Sequence, residues 1–393
     1  MDCESNDRRV PLTFFMTDLF SYTSGIYNHN AKLDEQHKSV FLSEAPGALN
    51  TIYLSHQKLW GLYKQLRSLD WDANEFSHER SKTEMTTASQ TDIDKITKTL
   101  LWQWEADSTA SRVIMDFLSA FNPGTELSAL AQRISENEAL HSHSYSEIVK
   151  NCYDVDDIVD LIHSDMNPVR RLNAVASAFS ECITVANKVR VGEIRRDSEI
   201  AKRSILIFFG TMIILERIQF TASFNVTFTY GDRGSWNSIA KTVQKIATDE
   251  LSIHVKSWKY CFSNEVALPE YRSVLSDVMT TLEQICSEVL KSELSFCDIL
   301  FSDGQVIDRP GKTPITCAVL KESVRFEAQH VYQFFGFDLP FAFIEKHPMP
   351  HTIQWKDINS TQTSPQEELT GNYLLGGFVS DLIPGSKYTP KFM

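Results

Sequence analysis

The sequence lacks the local motifs by which nucleotide-binding and zinc-binding proteins are usually recognised. It contains no glycine-rich phosphate-binding loop and no Cys-x-x-Cys pair. Its seven cysteines are scattered without regular spacing, at Cys3, Cys152, Cys182, Cys261, Cys286, Cys297 and Cys317. This distribution favours reduced thiols in a cytoplasmic protein over a disulfide framework or a zinc site.

Basic side chains are also in short supply. The chain has 38 Lys and Arg against 51 Asp and Glu, which gives a formal net charge of −13 at pH 7. Surfaces that bind nucleic-acid phosphates need an excess of Lys and Arg, so we expect no nucleic-acid partner. Bound cations are one way in which some of this negative charge is offset.

No apolar run is long enough to cross a bilayer. The most apolar stretch, SILIFFGTMIIL from Ser204 to Leu215, has twelve residues, whereas a membrane-spanning helix needs about 20. We therefore interpret it as a core helix and expect no membrane association. The opening residues, MDCESNDRRVPLTFF, carry charges where a secretory signal has its apolar region, so no signal peptide is predicted.

Helical periodicity dominates from about residue 52 onward, and the alternation typical of strands is scarce. Several candidate helices exceed 20 residues, which is long enough to run the length of a bundle. The sequence therefore predicts an all-α, long-helix bundle with one core. The candidate helices cover 52–69, 92–121, 126–153, 168–189, 192–229, 236–260, 268–301 and 313–336.

Composition divides the chain into three parts: an N-terminal extension (1–50), the helical domain (51–345) and a C-terminal tail (346–393). The tail is rich in Pro, Ser, Thr and Gly, which is typical of an extended or flexible segment. Docking on a partner would explain why it also has many apolar and aromatic side chains. These are Tyr373, Leu374, Leu375, Phe378, Tyr388 and Phe392.

The stretch ENEALHSHSY (136–145) places three chemically active side chains on one face of a helix. Glu138, His141 and Tyr145 are separated by steps of three and four, and seven positions return to within about 20° of the starting direction. The neighbouring apolar residues suggest that this face points into a core. A buried carboxylate needs a positive partner, either a metal ion or a Lys or Arg side chain.

Three other predicted helices offer inward carboxylates. Asp107 lies in WQWEADSTASR, Glu216 follows the apolar run in IILERIQF, and Glu250 and His254 lie four apart in IATDELSIH. Four helices that each supply a carboxylate, two of them with a histidine, are the arrangement of ferritin-like dimetal bundles. Four carboxylates balance two divalent ions, and two imidazoles complete the ligand shells.

Each signal alone has an ordinary explanation. A Glu-x-x-His pair arises often by chance, Glu216 could pair with an arginine such as Arg217 of a neighbouring helix or chain, and Tyr145 could be a core tyrosine. Two general hypotheses are therefore open at this point. One is a ferritin-like di-iron oxidase or hydroxylase that acts on its own substrate, and the other is a metal-free helical interaction protein.

Taken together, the segments resemble the small, radical-generating subunit of class I ribonucleotide reductase. The resemblance covers the Asp107 helix, ENEALHSHSY, the Glu216 helix with FTASF, ATDELSIH, and PQEELTGNYLLGG in the tail. It implies a ferritin-like fold, two iron ions with manganese as the alternative, and a homodimer that docks the large catalytic subunit through the tail. Substrate reduction, with nucleotide binding, would then belong to that large subunit.

The resemblance also implies roles for single residues. Tyr145 matches the residue that carries the stable tyrosyl radical, and its apolar pocket maps onto Phe220, Phe224 and Ile246. One metal would be bound by Asp107, Glu138 and His141, and the other by Glu216, Glu250 and His254. Long-range radical transfer maps onto Trp71, Asp249 and Tyr373, with His141 as the link at the metal.

The sequence departs from the family pattern in two places. Glu250 and His254 have three intervening residues where the family has two, and the expected position is held by Ile253, which cannot bind a metal. The extra residue rotates the imidazole by roughly 100° on a regular helix, so a local π-type bulge is predicted there. The extreme C-terminus carries Lys387 and Lys391 where the family usually has acidic residues, so the detail of docking is not carried over.

Overall fold

The computed structural model describes residues 27–356, and in this range the chain is an all-α bundle, as predicted. Its only β-type pairings there are two isolated bridges. The main helices are α1 (Gln57–Ser68), α2 (Glu79–Thr87), α3 (Gln90–Leu118), α4 (Thr125–Cys152), α5 (Val155–Ser164), α6 (Asn167–Arg190), α7 (Glu199–Ile214), α8 (Thr221–Arg233), α9 (Asn237–Asp249), α10 (Val255–Val266), α11 (Leu275–Leu300) and α12 (Cys317–Phe335). Short helical turns occupy Ser119–Phe121, Pro269–Val274, Pro350–Thr352 and Ile353–Lys356.

Two long helices of the bundle each contain a short π-helical segment. The first, π1 (Leu215–Gln219), joins α7 to α8, and the second, π2 (Glu250–His254), joins α9 to α10. The continuous helix Glu199–Arg233 is apolar and long enough to cross a membrane, but 94% of its most apolar 18-residue stretch is buried inside the bundle. This helix is therefore the central core element that the sequence predicted, with its apolar surface covered by other helices.

The observed helix boundaries differ from the predicted ones where capping residues act. The helix predicted over 192–229 begins only at Glu199, because Gly192 has a left-handed backbone with φ of 79° and ends α6. The side chain of Ser198 then accepts a hydrogen bond from the Ala201 N–H and starts α7. Two helices were not predicted. α2 buries only two side chains and α5 only one.

A buried ion pair lies beside π1. The Arg171 guanidinium donates to the carboxylate of Glu293, and both side chains are almost fully buried. The same guanidinium donates to the carbonyl oxygen of Gln219, the last residue of π1, at 3.1 Å. That carbonyl also accepts a hydrogen bond from Trp102 Nε1 at 3.0 Å. Side chains from α3 and α6 therefore hold the end of π1 in place.

The segment before α1 packs on the bundle. Val40 and Phe41 join the core, and the buried carboxylate of Glu265 accepts hydrogen bonds from the Val40 N–H at 2.8 Å and the Ser39 hydroxyl at 2.7 Å. The division into residues 1–50, 51–345 and 346–393 stays a prediction.

Candidate metal centre

The bundle brings the six predicted metal-binding side chains into one buried cluster. Their exposed fractions do not exceed 2%. α3 supplies one carboxylate, α4 a carboxylate and an imidazole, π1 one carboxylate, and π2 a carboxylate and an imidazole. In chain order these are Asp107, Glu138, His141, Glu216, Glu250 and His254.

The π-helix predicted at Glu250–His254 is present. A π-turn accommodates one residue more than an α-turn, so His254 returns to the face of Glu250 despite the extra residue. Its Nδ1 atom lies 3.0 Å from Glu138 Oε1 and 3.7 Å from Glu216 Oε1. Ile253 is fully buried in the apolar core. The other π-helix, π1, which carries Glu216, was not predicted.

The possible ligand atoms divide into two groups. One contains Asp107, His141 and Glu250, and the other contains Glu138, Glu216 and His254, and within each group the atoms lie within 4.8 Å of one another. The resemblance assigned Glu138 and Glu250 the other way round. Glu138 faces both groups, because Oε2 is 3.4 Å from His141 Nδ1 while Oε1 is 3.0 Å from His254 Nδ1. The two Glu138 oxygens therefore face the imidazoles of different groups.

The cluster carries more negative charge than a buried site tolerates alone. Burial, and then repulsion by Glu138, raise the pKa of Asp107 well above its usual value. Burial and the charge of Asp107 do the same to the pKa of Glu250. Burial alone would raise the pKa of Glu138 as well, but the imidazoles of His141 and His254 outweigh it and lower that pKa to about 2. Cations among these carboxylates would relieve the repulsion.

The unpaired atoms of the cluster are those that a metal would need. Within residues 27–356, all six side chains present buried oxygen or nitrogen atoms without a hydrogen-bond partner, including both oxygens of Asp107, Glu216 and Glu250 and the Nδ1 atoms of His141 and His254. Arg217 does not neutralise Glu216, because it pairs with Glu327 at 2.7 Å. Buried polar atoms are normally satisfied, so this donor set fits two divalent cations.

Tyr145 lies beside the cluster and is 1% exposed. Its phenol oxygen has no hydrogen-bond partner among the described residues. Burial, and then the charges of Asp107, Glu250 and Glu138, raise the pKa of Tyr145 well above its usual value, so the phenol keeps its proton at neutral pH. The side chains predicted to form its apolar pocket, Phe220, Phe224 and Ile246, are each at most 1% exposed.

A hydrogen-bonded chain leads from the cluster toward α1. The Trp71 indole N–H donates to Asp249 Oδ2 at 2.8 Å, and Nε2 of His141 lies 3.3 Å from the same oxygen. The rings of Trp71 and His141 are nearly parallel, with centroids 6.1 Å apart. Four of the five residues predicted for radical storage or transfer thus lie in or next to the cluster, and Trp71 is at the outer end of the chain. These four are Tyr145, His141, Asp249 and Trp71. Tyr373 lies outside the described residues.

Comparison with known proteins decides the family. The model of the family described as "Ribonucleotide reductase, small chain" matches residues 48–348. The chain belongs to this family. The ribonucleoside-diphosphate reductase 1 subunit beta of Salmonella typhimurium is 24% identical over 275 residues, which cover 65% of this chain and 70% of that protein. A subunit beta of Haemophilus influenzae is 24% identical over 269 residues, covering 64% and 68%.

Solved structures of ribonucleotide reductase small subunits share the fold. The dimanganese(II) NrdF protein of Streptococcus sanguinis superposes with a TM-score of 0.61 and 16% identity, over 79% of this chain and 99% of that one. The protein is therefore a small subunit of ribonucleotide reductase with the ferritin-like bundle of its family, and the partner that this class implies is a large subunit.

One residue of this small subunit was not singled out from the sequence although it lies inside the cluster. Asn137 is 1% exposed and sits between Asp249 and His254. A signal was present, because Asn137 precedes His141 by four positions and so shares its helix face.

Proposed function

We propose that the six-residue cluster binds two iron ions, with manganese as the second candidate, and that the centre generates a tyrosyl radical at Tyr145. The observation that carries the proposal is the convergence of six buried side chains whose free oxygen and nitrogen atoms point at one another. Manganese stands second because the Streptococcus sanguinis relative is a dimanganese(II) protein.

When bound, the metal pair would supply the electrons that activate dioxygen. The carboxylates hold the cations and offset their charge, and the histidines complete the ligand shells. The buried phenol of Tyr145 keeps its proton until it is oxidised. Dioxygen activated at the centre would be the oxidant that takes one electron and this proton from the phenol, which leaves a neutral radical. The apolar side chains of Phe220, Phe224 and Ile246 exclude water and reductants from that ring, which favours a long-lived radical.

We propose that the oxidising equivalent leaves the centre through His141, Asp249 and Trp71. The hydrogen bonds between these side chains support this route, because they connect the three groups directly and hold them at fixed distances. Tyr373 in the tail would pass the equivalent to the large subunit, where ribonucleotides are reduced. We further propose that the subunit works as a cytoplasmic homodimer and that its tail docks the large subunit.

Truncation after Ser360 tests the role of the tail. We expect the shortened chain to keep the metal content of the full chain and to lose its complex with the large subunit. Residues 361–393 contain all six apolar and aromatic side chains that were singled out in the tail. Size-exclusion chromatography with light scattering measures the complex, and metal analysis measures the centre.

The matched control is Tyr373→Phe, which keeps an aromatic ring at this position of the tail but removes the phenol proposed to take part in radical transfer. This variant should form the complex at full strength and lack ribonucleotide reduction. Undiminished binding by the truncated chain, or an oxidase activity that needs no large subunit, would favour the independent di-iron oxidase instead.

A further inference from the structure

We propose that Asn137 is a positioning residue that fixes which nitrogen of His254 faces the metals. Its second hydrogen bond holds the carboxylate of Asp249 in place. The inference rests on the proposed metal centre and concerns a side chain that binds no metal itself. Asn137 lies on α4 immediately before Glu138, and its amide is enclosed by the cluster.

Two hydrogen bonds hold the amide of Asn137. Its Nδ2 donates to Asp249 Oδ2 at 3.1 Å, and its Oδ1 lies 2.9 Å from His254 Nε2. Asn137 thereby connects the second π-helix at its C-terminal end, where His254 lies, with Asp249 at the end of α9. No other described side chain hydrogen bonds to both Asp249 and His254.

The chemistry of these partners orients the amide. Asp249 Oδ2 already receives the indole N–H of Trp71, so it acts as an acceptor and must face the amide NH₂ group rather than the amide oxygen. The Asn137 oxygen is then left facing His254. Because an amide oxygen only accepts hydrogen bonds, Nε2 of His254 must carry the proton.

The tautomer of His254 follows directly. In the neutral imidazole that binds a metal, a proton on Nε2 leaves the lone pair on Nδ1, the atom that lies 3.0 Å from Glu138 Oε1 on the side of the cluster. His141 has the same arrangement, since its Nε2 faces Asp249 and its Nδ1 faces the cluster. Groups that fix the tautomer and ring orientation of a metal-binding histidine typically contribute 10- to 100-fold to metal affinity.

The hydrogen bond from Asn137 to Asp249 connects the effect on His254 with the proposed radical-transfer route. Three donors converge on Oδ2 of Asp249: the Trp71 indole, the His141 imidazole and the Asn137 amide. Of these three donors, only the Asn137 amide also hydrogen bonds to His254. A change at Asn137 therefore reaches both histidine rings, through His254 directly and through Asp249 to His141.

Cobalt(II) binding to the full chain tests the inference, with Co²⁺ alone as the probe and its visible absorption as the readout. Asn137→Leu removes both hydrogen bonds at similar volume and should weaken Co²⁺ binding by about 10- to 100-fold. The control is Asn225→Leu, which removes another fully buried amide whose Nδ2 bonds Ser323 rather than the cluster. This variant should bind Co²⁺ within about threefold of the wild type.

Proton NMR of the Co²⁺-loaded wild type gives a readout that does not depend on a variant's folding. Metal binding through both Nδ1 atoms predicts two hyperfine-shifted, solvent-exchangeable imidazole N–H signals, one each from His141 and His254. In folded Asn137→Leu the His254 signal should move or exchange faster. Equal affinity of N137L and wild type, or fewer than two such signals in a wild type that binds Co²⁺, would overturn the inference alone. Absence of Co²⁺ binding by the wild type would overturn the metal centre itself, and the inference with it.

Discussion

The Tyr145→Phe variant should bind the wild-type amount of iron and show no tyrosyl radical. Phenylalanine fills the same apolar pocket but has no phenol to oxidise. The change costs no hydrogen bond, since the phenol oxygen has no partner among the described residues, so we expect the fold and the metal cluster to be retained. Electron paramagnetic resonance of the oxygen-exposed, iron-loaded protein measures the radical, and metal analysis measures iron.

Tyr153→Phe is the matched control for that experiment. Tyr153 follows α4 directly and accepts a hydrogen bond from Thr97 at 3.1 Å, but it is not among the groups around the metal cluster. This variant should keep the full radical signal. A radical of unchanged amplitude and line shape in the Tyr145 variant would show that a different side chain is oxidised.

The Glu293→Leu variant should destabilise the protein by about 3–5 kcal/mol, the usual cost of leaving one charge of a buried ion pair without its partner. The stranded charge would be Arg171, whose guanidinium lies 3.6 Å from the ring centre of Trp102 and 3.5 Å from that of Phe296. Glu293 also accepts a hydrogen bond from the Ala222 N–H at 2.9 Å, which would be lost as well. Urea unfolding of the metal-free protein measures the change.

Asp277→Ala is a suitable comparison because Asp277 lies on the same helix, α11, and pairs with Arg203 at the surface. Exposed ion pairs contribute less than about 1 kcal/mol, so this variant should unfold near the wild-type urea concentration. Equal midpoints for the two variants would mean that the buried Arg171–Glu293 pair, which joins α6 to α11, stabilises the protein no more than the exposed pair does.

The site was largely predictable because helical spacing controls which side chains share a face. Glu138, His141 and Tyr145 follow the 3.6-residue period, and the charge of an inward carboxylate demands a counter-ion wherever the surrounding residues are apolar. The extra residue between Glu250 and His254 was also informative. It meant that the helix had to depart locally from regular α geometry for the histidine to reach the carboxylates. A π-type bulge was predicted, and a π-turn is present.

Other features depend on long-range contacts that a local pattern does not encode. The π-turn that carries Glu216 is held by the side chains of Arg171 and Trp102, which are distant in sequence from Gln219. The role of Asn137 depends on two partners more than 100 positions away along the chain. The division of the six candidate metal-binding side chains into two groups likewise follows from the positions of four helical segments relative to one another.

Anomalous diffraction at the iron absorption edge, from crystals of the iron-loaded full chain, tests the central claim most directly. The account predicts two iron peaks enclosed by the six side chains. One should lie against Asp107, His141 and Glu250, and the other against Glu138, Glu216 and His254. Iron peaks found only at the protein surface, with none among these carboxylates, would contradict it.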